Sequence, residues 1–192
     1  MMRVVTEADV FLRTVAQRIE LDDGVVVRTY TVDDMPQLVD VVNRELDHLR
    51  PFMPWAQAPV TVEGQTAWWR STLDESDDGL RDLPYGIFDA AGRVIGGTGF
   101  HLRGGRGVVE IGYWLASDVT GRGLMTRVVS ALVDAAREVD GVRQVEIKCD
   151  VANERSGAVP RRLGFRIIRE ETREPIAASE TGQDVVWALD LG

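Results

Sequence analysis

Residues 108–126 read VVEIGYWLASDVTGRGLMT. An apolar and aromatic run with strand character is followed by a turn that sets two glycines around an arginine, and then by a segment of helical spacing. In that segment Leu124, Val128, Leu132 and Ala136 form one stripe beside Met125, Val129 and Val133, which predicts an amphipathic helix to about Glu138. The order of strand, glycine turn and helix has a physical use. The first N–H groups of a helix lack partners within it, and the aligned peptide dipoles place partial positive charge there. Gly121 and Gly123 carry no side chain to block an approaching pyrophosphate, while Arg122, Leu124, Met125 and Thr126 offer backbone N–H donors. A turn that merely joins strand to helix is the competing reading, and short glycine motifs do not choose between the two.

Outward from this stretch the chain alternates strand and helix signals. RIEL (18–21), DDG and VVVRTY (25–30) read as a hairpin, since Asp-Gly supplies the positive φ of a tight turn. Met35, Leu38, Val39, Val42, Leu46 and Leu49 recur at threes and fours, an amphipathic helix with Asp33 or Asp34 at its cap; a second helix runs from Val62 to about Leu73, before the acidic DESDD at 74–78. PYGIFDA, RVIGGTGFHL and VVEIGYWL then form an antiparallel meander. After the central helix come a strand at VRQVEIKCDV, a short helix at NERSGAVPRRLG, and strands at FRIIREE and DVVWALDL. Residues 1–17 read as an extension, a short helix or a loose arm, before a single domain over 18–192. The expected fold is α/β, a mixed and mostly antiparallel twisted sheet with helices on both faces.

Composition bounds the function. With 31 acidic against 22 basic residues the net charge is -9, which argues against nucleic-acid or anionic-membrane binding. One cysteine and two histidines cannot assemble a Cys/His metal site, so no metal is expected. The first residues lack the apolar core of a secretory signal, and no apolar run approaches membrane-spanning length, so a cytoplasmic location is expected. No G-x-x-x-x-G-K-[ST] is present, and IGGTGFH lacks the third glycine of the dinucleotide fingerprint.

The combination of EIGYWL, GRGLMT and, some thirty residues on, NERSGAVPRRLGF resembles the GNAT superfamily of N-acetyltransferases, and RPFMPWA near residue 50 resembles its RimJ/RimL-type branch. The similarity in pattern extends from about Arg18 to Leu191. Thr120 and Met125 depart from the family's usual turn, which has Gln or Arg at the first of these positions and Gly or Ala at the second. The resemblance implies a strand pair that splays to admit acetyl-coenzyme A as co-substrate. It implies that Leu115, Ala116 and Ser117 meet the pantetheine arm through their backbones, that Gly121 to Thr126 hold the pyrophosphate, that Asn153 hydrogen-bonds the arm, and that Ser156 lies near the sulfur. Read without the family, Asn153 is a simple helix cap.

Acyl transfer from a thioester to an amine needs a neutral amine, a polarised carbonyl and a protonated thiol to leave. An α-amino group, with a pKa near ~8, loses its proton far more readily than a lysine near ~10.4. The resemblance implies Glu110 as base, and a solvated strand glutamate is the alternative. Glu170, Glu171 and Glu174 are fallback carboxylates, and Ser156 is the expected acid. Pro160 cannot donate to the carbonyl of Ser156, which leaves that acceptor free or bends the helix. His48 and His101 read as structural or exposed, Cys149 as a packed thiol, and Trp55, Trp68 and Trp69 as cleft or core residues. The expected activity is acetyl transfer to a primary amine, a protein N-terminus first. A small cationic amine such as a polyamine or aminoglycoside, and a non-catalytic binding module, are the alternatives. Monomer and homodimer are both open.

Overall fold

The computed structural model of the 192-residue chain describes residues 7–72, 82–103 and 105–192, so the acidic run at 74–78 and Gly104 lie outside the described residues. Eight strands form one sheet: β1 (Arg18–Glu20), β2 (Val26–Thr29), β3 (Asp82–Phe88), β4 (Val94–His101), β5 (Val108–Leu115), β6 (Gln144–Asp150), β7 (Arg166–Thr172) and β8 (Gln183–Asp190). Their spatial order is β1-β2-β3-β4-β5-β6-β8-β7. Every neighbouring pair is antiparallel except β5 with β6. That parallel pair arises because the connection between the two strands is the central helix α5 (Leu124–Arg137), a crossover of the kind that parallel strands require.

Helices cover both faces. On one, α5 and α6 (Glu154–Arg162) pack with α1 (Glu7–Thr14) over a core in which Phe100, Ile111, Val128, Val129, Leu132, Val145 and Ile147 are almost wholly buried. On the other, α2 (Met35–Arg44), α3 (Leu46–Leu49) and α4 (Val62–Thr72) enclose a smaller cluster around Met35, Leu38, Val42, Leu49 and Phe88. The two stripes expected on the central helix and on the first amphipathic helix are the buried residues of α5 and α2. The second of these is two helices, broken at Glu45. Asp34 stands at its N-cap but makes no side-chain capping bond to α2. Thr31 and Asp34 form a reciprocal capping box on a 3-10 turn ahead of α2, and the Asp34 carboxylate also takes a two-pronged ion pair from Arg28, both contacts at 2.8 Å.

The hairpin turn falls where Asp-Gly places it, with Asp23 at φ 74° and Gly24 at φ 78°. The described residues before β1 are structural. Phe11 on α1 meets the Phe100 ring edge-on at 5.0 Å, Val15 is buried beside it, and the Tyr85 hydroxyl donates to the carbonyl of Ala16 at 2.7 Å. The described part of the extension is therefore part of the main core. Phe11→Ala should lower unfolding free energy by about 3 kcal/mol, the usual cost of emptying a buried aromatic site, as read by urea titration.

Candidate active site

The parallel ladder of β5 and β6 is short. Val108, Val109 and Glu110 pair with Gln144, Val145 and Glu146, and beyond them the two strands separate. On its far side β5 stays paired with β4 from Glu110 to Leu115, and the Ala116 N–H continues that ladder to the Ile95 carbonyl at 2.9 Å. Because main-chain groups alternate in direction along a strand, Leu115 and Tyr113 turn theirs to the open edge facing β6. This is the splayed pair expected from the sequence.

A cavity of about 740 Å³ passes through the gap. On the α6 side it is lined by Cys149, Asn153 and Ser156; on the other by Gly99, Gly112, Trp114, Trp55 and Trp68. Trp55 and Trp68 are exposed cleft residues, and Trp55 meets Trp114 edge-on at 6.0 Å. Trp69 packs into the second core and donates its indole N–H to the Tyr30 carbonyl, so one of the three tryptophans is structural and two are not.

At the mouth of the gap stands the glycine turn. Gly121 and Gly123 have φ values of 76° and 75°, which L side chains rarely adopt, and a Cβ on either would meet open space. Gly123 is the N-cap of α5 and has no side chain to cap it, so the N–H groups of Leu124, Met125 and Thr126 head the helix unshielded. Arg122 is exposed between the glycines. Met125, the residue that departs from the family pattern, turns its side chain into the main core and leaves only its backbone at the turn. Thr120 is spent locally, its hydroxyl donating to the Ser117 carbonyl at 2.8 Å. The turn therefore offers an anion the same amides that the usual sequence would.

The Ser117 N–H donates to Glu45 Oε2 at 2.9 Å, which ties it to the end of α2. Glu45 is buried, which alone would push its carboxyl up, yet the hydrogen bonds from Ser117 and the Arg44 guanidinium hold it below the usual range. The contact fastens the segment leading into the glycine turn to the helices that wall the opposite cleft.

Asn153 is the N-cap of α6, its Oδ1 accepting from the Ser156 N–H at 3.2 Å, as the plain reading of Asn at that position expects. α6 continues through Pro160 without a partner inside the helix for the Ser156 carbonyl. That carbonyl instead accepts the Tyr113 hydroxyl at 2.9 Å, and the Ser156 hydroxyl donates back to Tyr113 at 3.3 Å. Tyr113 was not singled out by the sequence reading. Burial raises its pKa and keeps the phenol a proton donor beside Ser156. Cys149, a free buried thiol, is pushed up by burial as well, which suits a packed residue on the cavity wall. Glu110 sits at the last paired position of the parallel ladder, opposite Glu146. Glu171 is engaged by Arg169 and Lys148, which hold its carboxyl down.

The far wall is braced by charge. Arg173, after β7, forks onto Glu180 and Asp184 at 2.7–3.1 Å, while Glu180 also accepts the N–H groups of Ile176 and Ala177. Asp150 accepts from Thr181 and Gly182, and Ser179 N–H reaches the Pro51 carbonyl at 3.0 Å, tying this loop to the segment that carries Trp55. Among the described residues no group of His, Cys, Asp and Glu could hold a metal ion, and no helix is long and apolar enough to cross a membrane.

Comparison with known proteins agrees with this geometry. The model of a family described as an acetyltransferase (GNAT) domain matches residues 25–166. An L-methionine sulfoximine/L-methionine sulfone acetyltransferase of Pseudomonas aeruginosa is 27% identical over 148 residues, 73% of this chain and 80% of that one. A putative ribosomal N-acetyltransferase, YdaF of Bacillus subtilis, is 26% identical over 175 residues, 88% and 91% of the two chains. Among solved structures, RimL, a ribosomal-protein α-N-acetyltransferase in complex with coenzyme A, superposes with a TM-score of 0.79 at 21% identity over 90% of this chain and 97% of its own. MccE, a microcin self-immunity acetyltransferase in complex with acetyl-CoA and AMP, gives 0.79 at 17% identity over 93% and 99%.

The brace gives the protein a pH signature. Arg173 and the two backbone donors hold the Glu180 carboxyl at about 2, down from 4.5. Its stabilisation is complete above the ordinary carboxylate range and is lost as pH falls from there towards about 2. Urea titrations at pH 7 and pH 3 should show wild type losing more stability than Glu180→Gln over that interval, the two chains converging at the acid end.

Proposed function

The chain belongs to the GNAT acetyltransferase family and is an acetyl-coenzyme A-dependent N-acetyltransferase; from that premise we propose that its acceptor is the α-amino group at the N-terminus of a protein. The observation that carries this is the state of the cations around the cleft. Arg103 is paired with Asp82 at 2.9 Å, Lys148 with Glu171 at 3.4 Å, and Arg173 with Glu180 and Asp184 at 2.8 and 2.7 Å. A free amino acid brings a carboxylate next to its amine and needs a cation to receive it. Here each described cation lining the cavity already holds a carboxylate, so that charge would be buried without a partner. A peptide has an amide at that position and pays no such penalty. The exposed Trp55 and Trp68 supply an apolar wall against which the first side chains of an acceptor pack.

The turn at Gly121 to Thr126 fits the diphosphate of the co-substrate, with Arg122, Leu124 and Met125 contributing main-chain N–H groups. Leu115 and Ala116 end the strand beside which the arm lies, and the Leu115 edge supplies the main-chain contact. Asn153 and Ser156 stand on the cavity wall and would lie beside the sulfur of the bound co-substrate. Acetyl-coenzyme A brings the activated acetyl group. The chain's residues orient it, exclude water and move two protons, one from the amine and one to the departing thiol. For the second, the Ser156 hydroxyl, on the cavity wall beside the Tyr113 phenol, is the proposed donor. The thiol leaves readily at a pKa of about 8.5, so this donor contributes modestly.

Thiol release measured on alanyl- and seryl-terminated peptides, methionine sulfone and spermidine tests the proposal. Turnover should be confined to the peptides. Faster turnover of methionine sulfone or spermidine overturns it, and binding of acetyl-coenzyme A with no turnover on any amine points to a non-catalytic module. Gly123→Val places a branched side chain at φ 75° and should lower unfolding free energy by ~1–2 kcal/mol, the cost of left-handed backbone; urea titration reads it directly. Ser156→Ala should lower kcat only a few-fold.

A further inference from the structure

The base that takes the proton from the amine is not fixed by the family match. Glu110 lies where β5 and β6 are still paired, at the edge of the gap. Its cross-strand neighbour on β4 is His101, in register with it. His101 ends its strand, and its imidazole is held at one nitrogen only: Nδ1 lies 2.7 Å from Asp82 Oδ1, at the first residue of β3. The same carboxylate takes the Arg103 guanidinium at 2.9–3.0 Å. The other nitrogen, Nε2, lies over Gly112, so close that a Cβ there would stand 2.8 Å from it. Gly112 is in the middle of the segment from Ile111 to Leu115 along which β5 has parted from β6, and it lines the cavity together with His101 and Asp82.

We propose that His101 is the general base of the acetyl transfer, with Asp82 as the residue that positions it. The inference deepens the reading of this site as an amine acetylation site and rests on it. Three features converge. An ionised carboxylate on Nδ1 fixes the proton at that nitrogen and leaves the Nε2 lone pair as acceptor, the arrangement that makes an imidazole a base in acyl transfer. Asp82 is kept ionised for this role: burial pushes its carboxyl up, but the hydrogen bond from His101 and the guanidinium of Arg103 hold it below the ordinary range. The absence of a side chain at Gly112 clears the path from β4 across β5 to the gap. In the reaction the amine nitrogen forms a bond to the acetyl carbon as the carbon–sulfur bond breaks. The amine proton passes to Nε2, directly or through one water, and the thiolate takes a proton from the Ser156 side.

Four ionisable groups set the behaviour of this imidazole: Asp82 from β3, Arg103 beyond the end of β4, Glu110 facing it from β5, and the acceptor amine itself. The test uses the full chain, acetyl-coenzyme A and an alanyl-terminated peptide. At pH 6.5 His101→Gln should lose about 100-fold in kcat/KM, within the range for a lost general base. At pH 9, where the amine has largely shed its own proton, the loss should fall to a few-fold; a purely structural defect would not follow the amine's titration in this way. Asp82→Asn should show an intermediate loss. In the free protein, nitrogen NMR of the histidine rings should report His101 protonated at Nδ1 and aprotic at Nε2, a pattern that Asp82→Asn abolishes. His48 is the only other histidine, so the resonances are assigned by one substitution.

Equal kcat/KM for wild type and His101→Gln across that range overturns the proposal while leaving the acetyltransferase reading intact, as does a loss confined to Glu110→Gln. Failure of wild type to turn over any peptide, with acetyl-coenzyme A still bound in calorimetry, overturns both. If His101→Gln does not fold, Gly112→Ala serves in its place, because the added methyl displaces only the end of the imidazole. It should show the same pH-dependent loss, and an unaltered profile overturns the assignment.

Discussion

Everything in this structure turns on two strands that begin as a pair and then decline to continue. Parallel pairing of β5 with β6 covers three residue positions and stops. Main-chain N–H and C=O groups left without partners inside a protein are costly. The parting therefore persists only because each strand is held firmly from its other side. β6 is paired with β8 along its whole length, from Gln144 to Asp150. β5 is paired with β4 through Leu115, and the chain beyond it is drawn on by the Ala116 contact to Ile95 and the Ser117 contact to Glu45. The open edge between them suits a ligand arm built from amides, which can complete the ladder that the strands leave unfinished.

The same constraint decides how the chain enters α5. Once β5 leaves the sheet, the chain must reverse to bring α5 back over the core, and the reversal uses left-handed glycines at 121 and 123. A side-chain cap at Gly123 would have satisfied the head of α5; a glycine there leaves its first N–H groups without a side-chain partner. Burial of Leu124 and Met125 in the main core orients the first turn of α5 so that only main chain faces outward. An apolar residue at the fifth position of the turn is compatible with a phosphate site because helix geometry sends its side chain inward.

What the sequence made legible was what is local or periodic. The stripe on α5, the glycine turn, the Asp-Gly hairpin, the meander and the Asn153 cap each depend on residues within a few positions of one another, and each is found in the structure. The contacts that finish the site are of another kind. Ser117 with Glu45, Tyr113 with Ser156 and His101 with Asp82 are separated by 72, 43 and 19 residues. No spacing rule connects them. One of the three left a trace: Pro160 implied an orphaned carbonyl at Ser156, and an orphaned acceptor beside a cavity asks for a donor such as the Tyr113 phenol. His101 left none, because a strand-ending histidine acquires meaning only from the carboxylate that the preceding strand places beside it. Phe11 was likewise invisible, since α1 docks by shape onto Phe100 and Tyr85 and not by any repeat.

The distribution of charge follows from the same economy of scaffold and site. The guanidinium of Arg173 could in isolation receive an anionic substrate, yet it is consumed in bracing Glu180 and Asp184, whose side chains are only 3% exposed. Freeing it would leave two buried carboxylates unpaired, a penalty larger than one contact to a solvated ligand returns. The brace and the recognition of a ligand carboxylate are therefore mutually exclusive uses of one residue. With Arg103 tied to Asp82 in the same way, what remains to distinguish acceptors is the shape of the tryptophan-walled groove and the geometry of its main chain. The net charge of -9 adds a long-range bias against anionic partners. On the acceptor proposed above, selectivity is built as much from refusing carboxylates as from attracting amines.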